Sequence, residues 1–142
     1  EATTRSLQPS FDGIMAMWFR YSWHLDRKEI PEAKHWLDQA LAHVDLWPAA
    51  ARPIIHSSAA DFYARIEPDL SKARDHLKQA AQPGLITKEA LALTEANVLI
   101  AEGNLTAARA KLNLARKLLQ SSAGSTRQAI AELIEETEAK TH

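Results

Sequence analysis

The side chains that could do chemistry are six histidines and a scatter of carboxylates; no cysteine occurs. A helical zinc site wants two His one turn apart beside a carboxylate, and none of His24, His35, His43, His56, His76 and His142 forms such a pair. His35 and His43 stand eight residues apart, more than two helical turns, too far for one ion. Asp61, Glu67 and Asp69 approach one break in the chain, and Asp26, Glu29 and Glu32 another. A catalytic carboxylate pair needs burial or a strong neighbour to separate its two pKa values, whereas acids at helix starts serve the helix dipole. No glycine-rich loop offers backbone amides to a phosphate, and no serine elbow is present. The absence of Cys removes thiol chemistry and disulfides while leaving the compartment open. These residues predict no enzyme, no metal and no cofactor.

The basic run Arg109, Lys111, Arg116 and Lys117 could meet phosphate. A formal charge of −1 argues against binding driven by counterion release, so the run reads as the solvated side of a helix. No apolar run reaches the length of a membrane span. The chain begins at Glu1 without Met, as expected of a processed protein or a piece of a larger one.

With 46% hydrophobic residues and only 4 Gly, the composition is that of a folded, helix-rich chain. Residues 1–10 carry no period and read as a flexible lead-in. From there apolar residues recur at three and four, predicting helices over 11–25, 30–45, 54–66, 70–82, 88–102, 105–121 and 126–139. Pro48 and Pro53 bracket a turn or short extra helix at 46–52. Thr87 and Asn104 are predicted N-caps, and Pro31 suits a first helical turn. The fold class expected is all-α: about seven helices, in stacked antiparallel pairs forming one domain over 11–142. Residues 126–140 would cap it, with Ala129, Leu133 and Ile130 inward.

Three segments align without gaps: IPEAKHWLDQAL from Ile30, LSKARDHLKQAA from Leu70 and LTAARAKLNLAR from Leu105. Their columns are Ile30/Leu70/Leu105, Ala33/Ala73/Ala108, Leu37/Leu77/Leu112 and Ala40/Ala80/Ala115. Small residues let a neighbouring helix approach and Leu fills the space between, so each pair buries its face by stacking on the next. This pattern resembles the tetratricopeptide repeat, best over 89–122. There Ala108, Leu112 and Ala115 match the second helix, Gly103 the turn, and Ala96 and Leu99 the first helix. Lys28 and Pro68 stand where the other units would carry the turn glycine.

That resemblance implies a protein–protein interaction module whose first helices line a groove for a peptide or partner helix. Leu93, Asn97 and Ile100 would face the groove in the last unit. Leu93 replaces the Lys that accompanies the groove asparagine, so an apolar segment is expected rather than a terminal carboxylate. A structural or oligomerisation domain of a larger protein is the alternative, and a nucleic-acid accessory domain a third reading.

Aromatic crowding singles out the first helix. Ile14, Met15, Met17, Trp18, Phe19, Tyr21 and Trp23 cannot all enter one stripe. Met17, Trp18, Phe19 and Trp23 are therefore predicted partner-binding residues, with exposure centred on Met17 and covered by a partner or a second copy. The competing reading has Leu46 and Trp47 folding back over the helix.

Overall fold

The computed structural model describes residues 11–120 and 124–141, with side chains over 12–120 and 131–140. The described residues form seven α-helices: α1 Phe11–Asp26, α2 Ile30–Ala42, α3 Arg52–Arg65, α4 Leu70–Ala80, α5 Lys88–Ala101, α6 Leu105–Leu119 and α7 Gly124–Glu138. Short 3₁₀ turns at Val44–Leu46 and Ala49–Ala51 join α2 to α3, and another, Ala139–Thr141, follows α7. No strand occurs among the described residues. The fold is all-α, and each predicted helix is present with its ends shifted by a few residues. The expected lead-in at 1–10 and the side chains of Ala129 and Ile130 lie outside the described residues.

The most extensive packing joins α1 to α2, α3 to α4 and α5 to α6. The connections within each pair are too short for anything but a reversal of direction. Local chemistry sets the helix starts. Asp69 Oδ1 accepts from the Lys72 amide at 3.1 Å, Thr87 Oγ1 from Ala90 at 3.2 Å and Asn104 Oδ1 from Ala107 at 3.2 Å. Pro31 and Pro53 occupy first-turn positions, where a missing N–H costs nothing.

The turns of the first and third pairs share one hydrogen-bond pattern. The Gly103 and Asn104 amides donate to the Ile100 and Leu99 carbonyls; the Lys28 and Glu29 amides donate to those of Leu25 and His24. Gly103 has φ +82° and Lys28 φ +60°, so a lysine adopts the left-handed conformation that its counterpart glycine adopts freely. Gly84 serves a different need. A Cβ there would stand 2.6 Å from the Ala50 carbonyl oxygen, which accepts from the Leu85 amide at 2.7 Å. The 81–87 connection thus docks on the start of α3.

Three of the four repeat columns are core. Ala33, Ala73, Ala108, Ala40, Ala80 and Ala115 are wholly buried, and Leu37, Leu77 and Leu112 lie within the same buried clusters. The first column departs. Leu70 is 43% exposed and Leu105 37%, because each is the first residue after an N-cap, at the edge of the packed face. Ion pairs add a further column. Lys34 Nζ contacts Glu67 at 2.6 Å, and Arg74 forks onto the Glu102 carboxylate. Each links the second helix of one pair to the end of the first helix of the next, one residue past the column alanine. Such surface pairs fix register more than they stabilise.

Neighbouring pairs meet in two ways. α3 and α5 approach closely, with small and polar residues between them. α1 reaches α3 through large side chains: Tyr21 and Phe62 meet edge to face at 6.4 Å, and Trp18 Nε1 donates to Ser58 Oγ at 3.1 Å. At the far end, Ile134 of α7 joins the cluster of Ala92, Leu93, Leu112 and Leu119. Ile134 and Thr137 are buried, whereas Leu133, expected inward, is 41% exposed. Adjacent apolar residues offered α7 two faces about 100° apart, and packing selected Ile134.

Candidate interaction surface

On α1 the buried face centres on Ile14 and Tyr21, with Trp18 and Leu25 beside them. Half a turn away stand Phe19, 56% exposed, and Trp23, 55% exposed. Trp18 and Phe19 touch with ring centroids 5.4 Å apart. The Arg27 guanidinium lies 4.5 Å from the Trp23 ring centroid and that of Arg20 4.7 Å from Trp36. Two large aromatics and two arginines therefore share one side of the first helix pair, a composition typical of binding surfaces.

The four predicted residues of α1 divide. Phe19 and Trp23 lie on the open face. Trp18 is half-buried on Ser58, and Met17 is half-buried against the cluster of Ile14, Ala40, Trp47, Ala51 and Ile55. Trp47 folds back, almost fully buried, and covers the Met17 side; Leu46 stays 44% exposed. Exposure is thus centred one turn later than Met17. Trp36 is foreseen only as one of the aromatics clustered near the N-terminus, and Arg27 entered no expectation, although an Arg four residues after a Trp at a helix end is a visible cation–π signal.

The groove residues occupy different surroundings. Leu93 and Asn97 are buried and Ile100 is half-buried. Asn97 Nδ2 donates to Asp61 Oδ1 at 3.1 Å, Thr94 Oγ1 donates to Asp61 Oδ2 at 3.2 Å, and Ser57 Oγ bonds Thr94 Oγ1 at 2.7 Å. Burial pushes the Asp61 carboxyl up to about 6 against the opposing effect of the Asn97 hydrogen bond and the Arg65 charge. Arg65 in turn pairs with Glu136 of α7 at 2.9 Å. This polar chain ties α3 to α5, and it uses the asparagine amide within the chain. Sequence pattern missed it because its members lie 33 to 37 residues apart.

A second polar feature joins α3 to α4. His56 Nδ1 and His76 Nδ1 are 3.0 Å apart, so one ring carries its proton there and the other accepts it. Ring centroids 5.3 Å apart place the rings end to end, so the nitrogens share a proton and do not converge on an ion. Desolvation lowers the His56 pKa to about 4 and lowers that of His76. Among the described residues no group of three or more His, Cys, Asp or Glu is placed to hold a metal ion. Nor is any described helix long and apolar enough to cross a membrane.

Set against known protein families, curated proteins and solved structures, the chain matches none.

Proposed function

We propose that the chain is a protein-interaction module of tetratricopeptide-like build, taking a partner helix or peptide on the outward face of α1. The observation that carries this is the exposure of Phe19 and Trp23 side by side, 56% and 55%, opposite the face that α1 buries. Leaving just over half of each ring in water forgoes roughly 1–1.5 kcal/mol of burial per ring, a gain that a partner would recover. Trp and Arg are the residue types that most often carry binding energy, and both are present here. The Ala-Leu-Ala columns and the recurring ion pairs support the repeat reading. Leu93 and Asn97 support a groove less, since both are already engaged within the chain.

The test is selection of helical and extended peptides from a displayed library on the purified chain. Selected ligands should bind the wild type and lose binding to Phe19→Ser and Trp23→Ser, while both variants keep the parent melting temperature. Ligands that bind these variants as tightly as the wild type would place recognition elsewhere and remove the reading.

A further inference from the structure

The outward face of α1 has an order that identifies its occupant. Reading along the helix and into the turn that follows it, where the Arg27 amide still donates to the Trp23 carbonyl at 3.3 Å, it presents Asp12, Ala16, Phe19, Trp23 and Arg27 at steps of four, three, four and four. Those steps keep all five on one stripe. Asp12, Phe19, Trp23 and Arg27 are exposed and Ala16 is half-buried. Asp12 precedes the midpoint between Phe19 and Arg20 by as much as Arg27 follows it, and Ala16 precedes it by as much as Trp23 follows.

We infer that this stripe pairs with itself, antiparallel, in a two-fold dimer of this chain; the inference rests on the interaction surface proposed above. With the axis between positions 19 and 20, Asp12 of one protomer faces Arg27 of the other, and Ala16 faces Trp23. An acid then meets a base, and a small residue receives the largest aromatic, twice in each dimer. Phe19 faces Arg20, which already lies against the Trp36 ring 4.7 Å away. Arg27 lies against the Trp23 ring and 3.5 Å from Glu29, so the base and the aromatic enter the contact as one unit. Parallel pairing would set Asp12 against Asp12 and Arg27 against Arg27 and is disfavoured by like charge. A helix of this length spans roughly 24 Å, enough to form the centre of a standard-sized interface.

Sedimentation equilibrium of the 142-residue chain reads the outcome directly. The mass should rise with concentration from 15.8 kDa towards twice that value. Trp23→Ser should stay monomeric. Asp12→Arg and Arg27→Asp should each weaken association at least about tenfold, and the double variant, which restores opposite charges, should recover most of it. All four variants should stay folded, since none of these side chains belongs to a buried cluster, and at concentrations where the parent is monomeric Trp23→Ser should melt with it while the charge reversals melt slightly lower, having inverted the charges at the ends of α1. A wild type that remains monomeric up to its solubility limit overturns the inference. So does a dimer that Trp23→Ser leaves intact, or a double variant no better than the singles. A monomer that dimerises only after residues 1–10 are removed also overturns it, naming the chain's own first segment as the cover. A monomer whose selected peptides still need Phe19 defeats self-pairing and leaves the wider reading standing.

Discussion

At one end of the helix stack α1 leaves Phe19 and Trp23 exposed with Arg20 and Arg27; at the other, α7 leaves Glu132 and Glu135 exposed with Leu133 among them, and its exposed Glu136 reaches Arg65 of α3. A stack of repeats ends safely in a helix whose outer side is polar, because no further unit covers it. α7 has that build. α1 does not, although Trp47 and the 3₁₀ turns already cover the Met17 side. The two ends therefore differ in what they leave in water: paired aromatics on α1, carboxylates around a single leucine on α7.

The largest effect should come from the seat beneath α1. Phe62 is wholly buried and meets Tyr21, so Phe62→Ala should cost roughly 3–5 kcal/mol in denaturant unfolding. Phe62 is absent from the cluster that holds Ile134, so amide exchange should rise more in α1 than in α7. Equal loosening at both ends would dissolve the contrast.

The next effect is on pH dependence, through the α3 residues lying between the two ends. In the unfolded chain Asp61 gains its proton only near 3.8, in the fold at about 6, so raising the pH across that window ionises a half-buried, poorly solvated acid and lowers stability. For His56 the order reverses. It protonates near 6.5 unfolded and at about 4 folded, so raising the pH from 4 to 6.5 restores stability. His76 is lowered too and acts in the same direction as His56. Wild-type stability should therefore rise only gently between pH 4 and 6.5. Asp61→Asn should steepen the rise, and His56→Gln should flatten or invert it. Thermal melts across that range, with identical slopes in all three proteins, would contradict the assignment.

A smaller effect compares the two turns. Gly103 has open space where a Cβ would go, so Gly103→Ala should cost about 1 kcal/mol from backbone strain alone. Lys28 bears that strain already, and Lys28→Gly should stabilise by roughly 0.5 kcal/mol once the flexibility of glycine in the unfolded chain is offset. Paired urea titrations should show opposite signs. The smallest effect belongs to the surface itself: Phe19→Ser, Trp23→Ser and Leu133→Ser should each leave unfolding free energy within about 0.5 kcal/mol. A larger loss at position 19 or 23 would make those rings structural.

Much of this architecture was legible in the sequence. Periodicity found the seven helices, and the Thr87 and Asn104 caps followed from residue type. The alignment of three segments found the buried Ala and Leu columns. Its first column is apolar but not core at Leu70 and Leu105, because a residue that directly follows the N-cap sits at the edge of the packed face. The inner face of α7 could not be chosen between Leu133 and Ile134, since both suit a core and only packing decides. Asn97 was placed by resemblance in a groove, but its partner Asp61 sits on another helix, and no local pattern encodes that pairing. For the candidate surface, aromatic crowding predicted that α1 could not bury everything. Which rings stay outside depended on Trp47, whose return over the helix moved the exposure from Met17 to Phe19 and Trp23.

The contrast between the two ends is tested most directly by a photo-reactive amino acid placed once at position 23 and, in a separate protein, at position 133. Protein adducts, to a partner or to a second copy of the chain, should form from position 23 and none from position 133. Equal adducts at both positions, or none at 23, would contradict the claim that the outward face of α1 is a binding surface.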